Sequence, residues 1–207
     1  MTATPLWLSP EPLLLASTSA TRRALVEAAG LSIELEDPRV DERSVEAPLR
    51  ASGASTAEIA LHLARAKALA VSRRHPGRLV LGGDQTLACG DADFTKPKDR
   101  AAAHDQLARL AGRTHHLHSA AALARDGAIV FDVSESAALT MRAMEDDYIA
   151  RYLAASGDAV LRSVGGYQLE GIGVQLFAKI EGDHFTILGL PLLPVLEALR
   201  REGCLAA

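Results

Sequence analysis

The stretch LLLASTSATRRALVEAAG, Leu13 to Gly30, runs from leucines into three hydroxyls and then sets Arg22 and Arg23 in what reads as the first turn of a helix. A helix start already carries about half a positive charge, so each cation there costs a few tenths to about 1 kcal/mol unless an anion compensates. Unpaired N–H groups at that end bind oxyanions, and the planar fork of arginine grips two phosphate oxygens at once. Two readings fit the pair: a polyphosphate seated at the helix start, or two arginines pointing into water. The glycine-rich P-loop pattern is absent, so that type of cradle is excluded.

Other residues supply the rest of a phosphoryl-transfer set. Asp84, in VLGGDQ, follows an apolar strand and two glycines that permit close backbone approach. A carboxylate there suits metal binding or proton transfer, and equally a turn that caps its own backbone. Asp41 and Glu42 in RVDER form a second acidic pair, with a solvated turn as the plain alternative. Lys67 stands alone among alanines and leucines, and Arg65, two positions away, must face elsewhere. Lys96 and Lys98 flank Pro97 in a loop. Cations and carboxylates near element ends are what phosphoryl chemistry with a divalent metal uses. His116 and His118 share a strand face, but no third zinc ligand stands at a recognisable spacing, which favours a plain surface strand.

The elements that would position these groups can be read from local signals. Leu13–Ala16 reads as a short buried strand, and Ser19 as the N-cap of a helix from about Ala20 to Ala29 that stops at Gly30. LSIELEDPRVDE alternates like a half-exposed strand until Pro38. Ser55 with Glu58 predicts a capping box opening a long helix striped by Ile59, Leu63, Ala66 and Ala70. RLVLGGDQTLAC is a strand or strand pair bent at Gly82 and Gly83. DADFTKPKDR reads as loop, and Asp99 caps a helix ending at Gly112. Two strands meet at a turn on Asp126-Gly127, a helix follows to Gly157, and a glycine-broken strand region carries a hairpin near Gly182-Asp183. A last helix follows Pro191. Early alternation of strands and helices, then a strand-rich middle, means α/β with a mixed sheet.

Composition excludes several classes. The chain has 207 residues, 48% hydrophobic and 23% charged, with a formal charge of −4. That balance is ordinary for a globular protein and argues against a nucleic-acid coat. Cys89 and Cys204 lie in no ligand-like spacing, which predicts a reducing cytoplasm and no disulfide or zinc framework. MTATPLWLSPEPLLLAS lacks the basic start of a signal peptide, and no apolar run is long enough to cross a bilayer.

Seven stretches in register, LASTSATRRALVEAAGL, VDE, ALHLARAKA, LGGDQ, KPKDRAAAHDQLARLAGRTH, GGYQLEGIG and IEGDHFTILGLPL, resemble the Maf family of nucleotide pyrophosphatases over essentially the whole chain. The resemblance implies one domain over residues 1–207 with a fold similar to the inosine-triphosphate pyrophosphatases: a long curved mixed sheet flanked by helices, in two lobes with a central cleft. It implies a homodimer that hydrolyses a nucleoside triphosphate to the monophosphate and pyrophosphate with Mg²⁺, Mn²⁺ or Co²⁺. The family's catalytic aspartate falls on Asp84, its phosphate-binding residues on Ser17, Arg22, Arg23, Lys67 and Lys96, and its acidic metal ligand on Glu42. Gln85 and Glu170 resemble the 7-methyl-GTP subgroup, not the dTTP/UTP one. Thr21 departs from that subgroup, which carries an aromatic residue there. A dTTP/UTP or ITP/XTP pyrophosphatase, and a non-catalytic nucleotide-binding regulator of cell division, are the alternative readings.

Overall fold

The structure is a computed structural model that describes residues 5–207; the first four residues of the stretch judged against a signal peptide lie outside it. In chain order the elements are β1 (Leu13–Ala16), α1 (Ala20–Ala28), β2 (Ile33–Leu35), α2 (Glu42–Ala51), α3 (Thr56–Ser72), β3 (Val80–Cys89), β4 (Ala92–Phe94) and α4 (Arg100–Leu110). There follow β5 (Thr114–Arg125), β6 (Ala128–Met141), α5 (Asp146–Ser156), β7 (Phe177–Glu181), α6 (His184–Ile187) and α7 (Leu192–Arg201). Seven strands form one mixed sheet in the order β2-β1-β3-β5-β6-β7, with β4 paired to β3. β1 runs parallel to both β2 and β3, whereas β3–β4 and β6–β7 are antiparallel. This is the α/β class with a mixed sheet that the pattern of elements predicts.

The chain divides into two compact units. The first comprises the described part of Met1–Gln85 with His118–Glu135 and His184–Ala207; the second comprises Thr86–Leu117 and Ser136–Asp183. In the first unit β1 is buried on both faces, as a parallel strand covered on two sides must be. Leu13 and Leu15 join Val26 of α1 and Val195 and Leu199 of α7 in one core, while Leu14 and Ala16 meet Val71 of α3 and Val80 of β3 on the other side. Helix α3 lies very close to the sheet. Its Ala60, Ala64 and Ala68 pack on Ala120, Ala122 and Ala124 of β5. A Cβ on Gly82 would stand 2.4 Å from the Ala64 carbonyl oxygen and 2.7 Å from the Ala68 nitrogen. The close approach expected of this glycine is therefore to α3.

Local capping follows the sequence signals. Ser19 accepts from the Arg22 N–H, Ser55 and Glu58 form a reciprocal capping box, and Asp99 caps α4. Four expectations need correction, the first being the surface strand expected around His116 and His118, since β5 lies inside the sheet between β3 and β6 and is mostly buried. Asp41 and Glu42 are not a turn: Asp41 caps α2, whose Pro48 argues against a helix and whose apolar stripe, half-buried Val45 and Leu49, is short. Within DADFTKPKDR, Ala92–Phe94 is a strand. No hairpin forms at Gly182-Asp183. Three 3-10 segments occupy Gly157–Leu161, Val164–Gly166 and Ile172–Leu176, and β7 returns to pair with β6 before α6 begins. Positive φ at Gly165, Gly166 and Gly182 breaks the extended pattern there.

In the second unit His115 is the buried member of the THHLH run, because alternation along β5 turns residues 115 and 117 inward and leaves His116 exposed. Its Nε2 hydrogen-bonds with the Tyr167 hydroxyl at 2.7 Å, and its Nδ1 has no partner among the described residues. Burial pulls its pKa down from 6.5 to about 4. The unfolded chain therefore takes up a proton between those values that the folded one refuses, so stability is full above pH 6.5 and declines as pH falls to 4. We expect this group to account for about 3 kcal/mol of that decline. Denaturant midpoints of wild type and His115→Gln, compared from pH 7 to 4, should show a shallower slope in the variant.

Candidate active site

The site is assembled in the first unit, from residues just past β1, at the starts of α1 and α2, and within α3 and β3. β1 delivers Ser17, which is buried. Its hydroxyl accepts from the Ser19 N–H at 3.2 Å and from Arg22 Nη1 at 3.4 Å. Arg22 Nε donates to the Gly189 carbonyl at 2.7 Å. The Arg22 chain also lies over Gly83 of β3, where a Cβ would come within 3.2 Å of its Cδ. Burial lowers the Arg22 pKa, opposed by the charges of Asp84 and Glu42. That answers one half of the arginine question: Arg22 faces inward toward carboxylates. Arg23, one position on, turns to the surface and pairs with Glu27 at 2.8 Å, its side chain 53% exposed.

β3 delivers Asp84 and α3 delivers Lys67, both buried. The Lys67 ammonium sits 2.6 Å from Asp84 Oδ1 and 2.6 Å from Glu42 Oε1, so it draws two carboxylates together that would otherwise repel. Arg65 points away and pairs with Asp132 of β6, as two-residue spacing on a helix requires. Burial raises the Asp84 pKa above its ordinary value, and Lys67 and Arg22 oppose the shift. A carboxylate made more basic by its surroundings is suited to take a proton.

Gln85, the next residue on β3, is held by its amide nitrogen. Nε2 donates toward the carbonyls of Thr186 and Ile187 at 3.2 and 3.0 Å and toward the Ser119 hydroxyl at 3.0 Å. Ser119 in turn donates to the Thr186 carbonyl, and the Thr186 hydroxyl donates to Glu135. Three oxygens around Nε2 fix the amide orientation, because the reverse flip would set oxygen against two carbonyls. Oε1 is thereby left as the acceptor, on the side of Gly189, where a Cβ would come within 3.6 Å of it.

Thr21 lies in the first turn of α1, half-buried, and belongs to the same unit. Lys96 and Glu170 belong to the second unit, where both are exposed, Lys96 in the loop after β4 and Glu170 beside the 3-10 segments. Sequence reasoning missed Gly189 and Ser119 as partners. Each lies far along the chain from the residue it holds, and no local pattern marks it. No group of three or more His, Cys, Asp or Glu side chains able to hold a metal occurs among the described residues, so Glu42 and Asp84 are the acidic donors that this site offers. No helix among them is long and apolar enough to cross a membrane.

With that geometry in view, comparison with known proteins gives a consistent picture. The family model described as Maf-like protein matches residues 12–202. A nucleoside triphosphate pyrophosphatase of Rhodopseudomonas palustris (strain BisB18) is 54% identical over 202 residues, covering 97% of this chain and 98% of the relative. A 7-methyl-GTP pyrophosphatase of Rhizobium johnstonii is 54% identical over 193 residues, covering 93% and 97%. One of Brucella abortus is 51% identical with the same coverage. A solved nucleoside-triphosphatase (dITP/XTP pyrophosphatase) of Mycobacterium abscessus aligns over 92% of this chain and 94% of that one, at 18% identity and a TM-score of 0.41, a likeness that carries no argument about function. Coverage of nearly the whole chain at this identity, together with the family match, leaves one conclusion: the chain belongs to the Maf family.

Proposed function

We propose that the protein is a nucleoside triphosphate pyrophosphatase that cleaves between the α- and β-phosphates. The observation that carries this reading is the set Arg22, Glu42, Lys67 and Asp84, two cations and two carboxylates built around the buried Lys67–Asp84 pair, which half-exposed Glu42 joins through Lys67. In the reaction a water oxygen bonds to the α-phosphorus, the bond from that phosphorus to the bridging oxygen breaks, and pyrophosphate leaves with the electron pair. Asp84 orients the water and accepts its proton. Arg22 spends Nε on Gly189 and Nη1 on Ser17, which pre-orients its remaining N–H groups for a phosphate oxygen. Lys67 meets negative charge as it builds on the leaving group. Arg23 gives up its pairing with Glu27, an exposed contact of about 0.3–0.5 kcal/mol, for the triphosphate.

The donor set fits a divalent cation of the Mg²⁺ kind, which takes one or two carboxylates and completes its shell with phosphates and water. Glu42 and Asp84 would hold it, and Mn²⁺ or Co²⁺ would occupy the same donors. Bound there, it would supply Lewis-acid polarisation of the phosphate oxygens.

The base preference follows from Gln85. With Nε2 engaged, Oε1 is left as an acceptor for an N–H of the base. The names of the relatives from Rhizobium and Brucella point to a guanine base, and Thr21 has no π-face for a cationic methylated one. A homodimer in the cytoplasm completes the reading. A panel of 7-methyl-GTP, GTP, dTTP, UTP and ITP, assayed for pyrophosphate and separately for phosphate, tests it. We expect pyrophosphate, fastest from 7-methyl-GTP. Orthophosphate as the first product, or nucleotide-induced thermal stabilisation without any hydrolysis, would overturn it.

A further inference from the structure

Glu42 reaches Lys67 from a helix that packs against α3 and has Val45 and Leu49 half-buried. No residue of α2 is fully buried, and the Glu42 side chain is 51% exposed. Helices in proteins owe most of their stability to a packed face, so one whose face is shallow depends also on what grips its start. Lys67 is one grip. Arg74, just beyond the end of α3, is a second. Its Nη2 donates to the Asp37 carbonyl at 2.6 Å and to Glu36 Oε1 at 3.0 Å, and its Nη1 donates to the Pro38 carbonyl at 3.4 Å. Lys67, within α3, and Arg74, just past its end, thus both contact the segment 36–42.

Between the two grips the chain bends sharply. Arg39 has φ 51°, in the left-handed region that residues with a Cβ seldom enter. Its N–H donates to Asp37 Oδ1 at 2.9 Å, and Asp41 then caps α2. Such a conformation persists where its surroundings over-determine it. Arg74 does so by tying down the residues immediately before Arg39, with Glu36 as a charged partner whose pKa that hydrogen bond lowers.

We infer that Arg74 is a positioning residue for Glu42: by clamping Glu36, Asp37 and Pro38 it fixes where α2 starts and so where the Glu42 carboxylate stands. Arg74 touches neither phosphate nor metal. Its kinetic consequence rests on the pyrophosphatase reading; its mechanical consequence does not.

The test uses Arg74→Ala and Arg74→Lys, with Arg73→Ala as a neighbouring-charge control. Three quantities are measured: amide hydrogen exchange across residues 42–51 in the nucleotide-free protein, Mn²⁺ affinity by EPR, and the Mg²⁺ dependence of pyrophosphate release. For Arg74→Ala we expect exchange in α2 to rise about tenfold with β1 and β3 unchanged. Mn²⁺ affinity should fall about tenfold, and the half-activating Mg²⁺ concentration should rise in step, with kcat at saturating Mg²⁺ within about threefold of wild type. Arg74→Lys, one ammonium in place of a fork, should fall between, and it carries the test if the alanine variant does not fold. Unchanged α2 exchange overturns the proposal. So does faster exchange with unaltered Mn²⁺ affinity, which would make Arg74 purely structural. If wild type releases no pyrophosphate, the functional reading fails, while exchange and Mn²⁺ binding still decide this one.

Discussion

Asp84→Asn is expected to lower turnover by at least about 10³-fold, since it removes both a proton acceptor and an anionic donor. The fold should survive. Burial already makes the charged form of Asp84 costly, as its raised pKa records, and asparagine removes that cost. Against this, Lys67 keeps Glu42 as its sole anionic partner, and Glu42 is half exposed. These opposing effects predict a melting temperature within about 4 °C of wild type. Steady-state kinetics and a thermal melt on one preparation check both parts. Turnover within tenfold of wild type would remove Asp84 from the reaction, and a collapse in melting temperature would make its role structural.

Gly82→Ala tests how the site is assembled. The added Cβ would meet main-chain atoms of α3, the Ala64 oxygen at 2.4 Å and the Ala68 nitrogen at 2.7 Å, and a backbone cannot rotate away as a side chain can. Helix α3 must therefore lift off β3. We expect a loss of about 3 kcal/mol, the upper end for overpacking, and a fall in melting temperature of about 6–12 °C. Because α3 carries Lys67 and β3 carries Asp84, activity of the folded fraction should fall as well, though no atom of the site is altered. Gly77→Ala, where nothing lies within 4 Å but φ is +78°, gives a comparison for strain without contact. Equal losses in the two variants would contradict the close-approach account.

What the sequence made legible was what local chemistry writes. Ser19, the Ser55–Glu58 box, Asp99 and the Asp126-Gly127 turn each act within a few residues, and each marks an element where the structure has one. Helix α2 escaped because Pro48 interrupts it and its apolar stripe is only Val45 and Leu49, both half-buried. Arg22 and Arg23 are indistinguishable in a list of charges, yet about 100° of helical rotation sends one to Gly189 and the other to Glu27. His115 was overlooked for its neighbours for the matching reason in a strand, where a step of one residue exchanges the faces. The partner of Arg22 lies 167 residues away, and that of Gln85 about a hundred, distances over which no spacing rule operates. The boundaries between the two units were equally hidden. Three fall within β3, β5 and β6, where a strand continues and no linker composition marks a change, and the fourth follows Asp183, between β7 and α6.

The chain has only four lysines, and Lys67 is the one that is enclosed; Lys96, Lys98 and Lys179 are exposed. Acylating or fluorescent amine reagents therefore have three open targets and one closed to them, which permits tagging or surface immobilisation without touching the ammonium between the carboxylates. Any modification that does reach Lys67 reports that α3 has parted from its neighbours, so mass-spectrometric footprinting of this one amine gives a direct gauge of whether the centre is intact.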